Sequence, residues 1–152
     1  MKTMMKFTVV LLMATAFMGC SKNGDGYAAA DPIVGSWMLR DASRNNNYGW
    51  QSFYSGLENG VLEFYNNGSA SYSEGHLNLT GNWYVSNTNG AYYDEYGYLR
   101  NGLHQTLYVS LSDRFSGNSI ELNFGYVVFQ GSRFIATDFY GNGVERYEFR
   151  RY

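Results

Sequence analysis

The side chains best suited to covalent or metal chemistry are few: His76, His104, the lone Cys20, and the carboxylates Asp94-Glu95, Glu63 and Glu121. A nucleophilic triad needs a base held beside a Ser or Cys, and neither histidine stands in an elbow or triad motif. Both follow turn-like glycines, Gly75 and Gly102, and read as solvated loop residues. A transition-metal site needs three or four ligands at compact spacing, which two isolated histidines and one cysteine do not supply. Glycoside hydrolysis needs two carboxylates facing across a substrate. Asp94 and Glu95 are adjacent, so on a strand they point to opposite faces and on a loop they are hydrated. Glu63 and Glu121 fall on the polar parity of their runs. No lysine follows Lys22, so no glycine-rich phosphate loop has its lysine. The expectation is a protein that is not an enzyme, with no metal and no cofactor.

Binding chemistry is better represented. The chain holds 15 tyrosines and 3 tryptophans. Tyr92, Tyr93, Tyr96 and Tyr98 crowd between two turn signals with little aliphatic content to bury them. A loop presenting these rings is a candidate contact surface for a glycan, a peptide or a partner, because Tyr offers stiff contact area at low entropy cost. The competing structural reading is a half-buried aromatic wall on strands. An extended strand there places Tyr96 and Tyr98 on one face and Tyr93 on the other.

The elements that position these side chains are strands. Leu107, Val109 and Leu111 alternate with Tyr108, Ser110 and Ser112. Ile120, Leu122 and Phe124 alternate with Glu121 and Asn123, and Tyr147 and Phe149 with Arg146, Glu148 and Arg150. Period-two alternation marks strands with one buried face. Asn66-Asn67-Gly68, Asn89-Gly90, Ser116-Gly117-Asn118 and Gly141-Asn142-Gly143 read as turns, where Asn and Gly supply the positive φ of tight hairpins. No window keeps a helical apolar period without a Gly or Asn break. Eight to ten short strands at this spacing suit an antiparallel barrel or sandwich. A closed barrel has the advantage of removing sheet edges from a lightly charged, Tyr-rich surface.

Composition agrees. Aromatics are 18%, charged residues 16%, with 18 glycines, one proline and a formal charge of −2. These values exclude a disordered tail, a coiled coil and a disulfide scaffold. With no basic surplus to neutralise phosphates, no nucleic-acid partner is expected.

The first residues carry an address. Lys2 and Lys6 precede a mostly apolar run from Phe7 to Met18, and a small, polar, glycine-rich stretch follows, which is the pattern of an export signal. The run is short for a bilayer span, which takes about 20 apolar residues. Phe17-Met18-Gly19-Cys20 resembles a bacterial lipobox, with Phe where Leu is usual. That resemblance implies a lipoprotein signal peptide over 1–19, lipidation of Cys20, and a tether over 20–31 leading into a domain over 32–152. Multiple acyl chains give stable anchoring, so the membrane is an expected partner. Ser21, rather than an acidic residue, follows Cys20, which by analogy with lipoprotein sorting implies the outer membrane, periplasmic or surface-facing.

Within the domain, Ile33-Val34-Gly35-Ser36-Trp37 resembles the Gly-x-Trp signature that opens lipocalin-like barrels. Val61 to Ser69, Leu79 to Val85, and the closing Tyr147-Glu148-Phe149-Arg150-Arg151 are similar to strands of small lipocalin-like lipoproteins of Bacteroidetes-type bacteria. The resemblance implies an up-and-down antiparallel barrel of about eight strands, with room inside for side chains or one small ligand. It also implies a barrel base in which Arg151 packs over the Trp37 indole. The candidate cavity lining is Leu62, Phe64, Trp83, Leu107, Val109, Ile120, Leu122, Phe124 and Phe149, with Trp37, Leu39, Val85 and Leu111 on the same inward wall. The expected function is a lipid-anchored barrel, a monomer, that binds a small hydrophobic or amphipathic ligand or a partner. If the large inward side chains fill the barrel, function falls to the loops. The alternative expectation is a carbohydrate-binding or adhesion β-sandwich on the same anchor.

Overall fold

The computed structural model describes residues 31–46 and 48–152. The signal segment, Cys20 and nearly all of the tether lie outside the described residues. Those described are all-β, with nine strands in one antiparallel sheet: β1 (Gly35–Asn46), β2 (Gly49–Ser52), β3 (Val61–Phe64), β4 (Ser69–Glu74), β5 (Leu77–Tyr93), β6 (Leu99–Ser112), β7 (Ser119–Gln130), β8 (Arg133–Tyr140) and β9 (Gly143–Arg151).

The sheet closes on itself. β9 pairs with β1 from Trp37↔Arg151 to Asn45↔Val144, so the last strand lies against the first. Along its other edge β1 pairs twice, with β3 at Gly35–Met38 and with β2 at Ser43–Asn46. One position in an eight-strand ring is thus shared by two short strands, and the segment between them returns Phe53 and Leu57 to the interior. The register is strongly staggered. From Trp37 the ladder runs through Leu62, Tyr72 and Leu79 toward the β6–β7 turn. In the other direction it runs through Arg151 toward the β7–β8 turn. The two routes reach opposite ends of β7, which is the shear that a closed barrel of tilted strands requires.

Large side chains fill the base of the ring. Trp37, Phe64, Phe134 and Phe149 are buried, with Trp37 edge-on to Phe134 at 4.8 Å and Phe134 stacked on Phe149 at 4.5 Å. Each such burial stabilises by about 1.5–3 kcal/mol before the cost of ordering. The polar edges are satisfied: the indole N–H of Trp37 donates to the Ile33 carbonyl at 2.6 Å, and that of Trp83 to the Tyr65 carbonyl at 3.0 Å.

One expectation from the sequence changes here. Asn89-Gly90 is not a turn. Both residues sit inside β5, paired with Leu103 and Gly102, and the chain reverses further on, at Asp94–Tyr98, where Gly97 takes φ +82°. As a result β5 and β6 outrun the ring, because β4 accompanies β5 only to Asn82 and β7 meets β6 only from Gln105. A register shift between Gln105 and Leu107 marks where the ribbon leaves the wall. Its distal half folds as a flap over the outer face of β7 and β8. Tyr92 stacks between His104 (4.3 Å) and Tyr126 (4.9 Å), and Tyr93 lies on Phe139 at 5.2 Å. The Thr137 hydroxyl donates to the Tyr93 carbonyl at 2.6 Å. The flap tip reaches β2, where a Cβ on Gly97 would stand 3.0 Å from the Trp50 ring. Phe134 and Ala136 face the core, while Ile135 and Thr137 on the opposite face are buried as well.

Candidate functional site

At the base, the Arg151 guanidinium lies 4.4 Å from the Trp37 ring centroid. It also donates to the Val34 carbonyl at 2.6 Å and the Pro32 carbonyl at 2.9 Å, tying the last strand to the segment that enters the first. This end is closed.

The candidate lining residues are the core itself. Leu62, Phe64, Trp83, Leu107, Val109, Phe124 and Phe149 are buried, and Ile120 and Leu122 are partly buried and packed against them. They fill the ring with side chains at its base and middle. A cleft of about 260 Å³ opens instead at the other end, lined by Arg44, Asn46, Tyr140, Gly141, Asn142 and Gly143.

Beneath that mouth the interior turns polar. Going up β9, the inward face passes from Phe149 to Tyr147 and then Glu145; on β1 it passes from Leu39, across a bulge, to Ala42 and Arg44. Arg44 and Glu145 are register partners and form an ion pair, with Arg44 Nε donating to Glu145 Oε1 at 2.9 Å. Tyr147 donates to the other carboxylate oxygen at 2.7 Å. The Arg44 side chain is 40% exposed against 10% for Glu145, so the cation is reachable from the mouth and the carboxylate is not. Phe53 and Tyr140 flank the guanidinium at 5.1 and 5.3 Å. Burial pushes the Tyr147 phenol above its ordinary range, and the hydrogen bond to Glu145 adds to this. Asp138, the register partner of Glu145 on β8, is also pushed up: desolvation outweighs the Phe139 N–H it accepts, and Glu145 repels its charge.

The tyrosine segment divides. Tyr92 and Tyr93 lie on β5, half-buried in the stacks that hold the flap, and are not loop residues. Tyr96 and Tyr98 stand exposed at the flap tip. Asp94, expected to point from a strand face or to be hydrated on a loop, is buried. Its carboxylate accepts the N–H groups of Tyr96 and Tyr98 at 3.0 and 2.9 Å and Arg100 Nε at 2.7 Å. Desolvation raises its pKa, but the bonds from Arg100, Tyr98 and Tyr96 outweigh it and leave the carboxyl below its usual value. His104, expected in a solvated loop, is buried on β6 under Tyr92, because the flap folds its face inward. His76 is exposed in the β4–β5 turn. Glu63 bonds Tyr65 at 2.6 Å, and Glu121 accepts from Tyr108 at 3.1 Å, both facing away from the interior.

The mouth cluster of Arg44, Glu145, Tyr147 and Asp138 is the part that sequence reasoning missed. The signal was present: parity from Phe149 through Tyr147 puts Glu145 on the inward face. No protein-family model matches this chain, and neither the curated proteins nor the solved structures contain a match to it.

Proposed function

We propose that this is a non-catalytic binding barrel, anchored at the outer membrane through lipid on Cys20, that holds a small amphipathic ligand at its mouth. The observation that carries this reading is the change in the ring's interior from aromatic packing at the base to a charged, partly open cluster at the top. Burying ionic groups in a barrel end is costly unless they are paired, and an apolar plug would stabilise that end better. A cleft of about 260 Å³ falls just below the roughly 300 Å³ at which drug-sized pockets begin, so it excludes a long lipid chain and suits a compact molecule smaller than that. The ring of Tyr140 offers an apolar face to such a molecule. Asn46, Asn142 and the exposed edge of Arg44 offer hydrogen bonds to its polar end.

Native mass spectrometry of the full chain, extracted from its host membrane, tests this directly. The expected spectrum shows a small organic molecule retained by the wild type and lost from Arg44→Ala and Tyr140→Ala. It also shows acyl mass on the chain that disappears in Cys20→Ser. A bare wild-type polypeptide under gentle ionisation contradicts the mouth reading, and absence of acyl mass contradicts the anchor.

A further inference from the structure

A second cleft, of about 490 Å³, opens on the outside of the ring across β5 and β6. Asn78, Thr80 and Asn82 of β5 and Ser110 and Ser112 of β6 form its floor. They alternate with the buried Leu79, Trp83, Val109 and Leu111, so they point outward. The β6–β7 turn closes one end. There Asp113 accepts the backbone N–H groups of Phe115 and Ser116 at 2.9 and 3.2 Å, and Phe115 is left 100% exposed beside the floor. Further along the same outward face, the cross-strand partners Tyr84 and Tyr108 present two rings 5.1 Å apart, inclined by 31°. Thr80 and Ser112 each lie four positions along their strands, roughly 13 Å, from this pair.

The surface is therefore a track with aromatic rings at both ends and amides and hydroxyls between them. Its chemistry selects the occupant. Asn, Ser and Thr both donate and accept, so they match a ligand with many hydroxyls and leave an apolar peptide face with unmet polar groups. Asp113 is committed to its turn, and among the described residues Arg114 is the one cation lining the cleft, too little charge to hold a nucleic acid. Aromatic faces at the ends suit the C–H faces of sugar rings. We propose that this outer track binds a neutral oligosaccharide, at a site independent of the barrel mouth. The length of the track favours a chain of several sugars over a monosaccharide.

The test uses the full chain in a zwitterionic detergent, applied to an array of neutral, sulfated and sialylated glycans from monosaccharides to octasaccharides. The expected result is retention on neutral oligosaccharides, weakened by roughly tenfold in Phe115→Ala and again in Tyr84→Ala, the size of one lost aromatic contact. Both side chains are exposed, so circular dichroism of the variants is expected to match the wild type. Arg44→Ala leaves glycan retention unchanged, which separates failure of this site from failure of the mouth. Retention confined to charged glycans, no retention on any neutral chain, or retention indifferent to both aromatic variants overturns the proposal.

Discussion

Arg151 covers the indole of Trp37, and Gly35 makes room for it: a Cβ on Gly35 would stand 2.0 Å from Arg151 Nη1. Gly35 also has φ +127°, a conformation that side chains rarely adopt. The guanidinium then spans from the ring face to the Val34 and Pro32 carbonyls. One residue thus locks the end of β9 to the beginning of β1 and closes the base. Arg151→Ala is expected to cost about 2 kcal/mol, from the lost cation–π contact and charge-assisted hydrogen bonds. Arg151→Lys restores only part of this, because an ammonium cannot fork to two carbonyls while lying over the ring. Urea unfolding midpoints of the three proteins check the order; equal midpoints for wild type and Arg151→Ala would show the clasp to be idle.

Asp138 makes stability depend on pH in a definite direction. In the unfolded chain its carboxyl titrates near 3.8, and in the fold burial holds the proton to higher pH. Across that window the folded state binds more protons than the unfolded one, so this group's contribution falls as pH rises. Asp138→Asn keeps an oxygen for the Phe139 N–H and carries no charge. The variant is expected to match the wild type at pH 3 and to be more stable at pH 7. Urea melts at the two pH values decide it, and a variant less stable at pH 7 contradicts the account of the mouth.

Thr137 holds the flap. Its hydroxyl is the donor to the Tyr93 carbonyl, and its side chain is buried between ribbon and wall. Thr137→Val keeps the shape and leaves the carbonyl without that donor, a loss of about 1–2 kcal/mol. The loss is expected to be local. Hydrogen exchange followed by mass spectrometry should show faster exchange in residues 87–104, with protection of β8 and β9 unchanged. Uniformly faster exchange across the barrel would mean that the ribbon is not a separable flap.

The strands and their inward faces were legible in the sequence wherever one face is wet. In β6, β7 and β9 the alternation of Leu107–Val109–Leu111, of Ile120–Leu122–Phe124 and of Tyr147–Phe149 could be read directly. β8 was harder. Phe134 to Thr137 are buried on both faces, and a short apolar run announces such a strand without saying what covers it. The cover at Thr137 is the flap, where Tyr93 stands 44 positions away along the chain. Asn89-Gly90 carries a turn signal that is local, while the ladder that overrides it is closed by partners at Leu103 and Gly102. The same override carried Tyr92, Tyr93 and His104 out of a supposed loop and into stacks. At the mouth, Glu145 lay on the inward parity, but its pairing with Arg44 depends on which strands meet when the ring closes, and spacing along the chain does not contain that.

The most direct measurement is a crystal structure of the chain purified from its own host with whatever it carries. The account predicts ligand density beside Arg44, Asn46, Tyr140 and Asn142, above an interior in which Trp37, Phe64, Phe134 and Phe149 remain buried in the packed core. Density among those four rings, or a mouth holding only water, would contradict it.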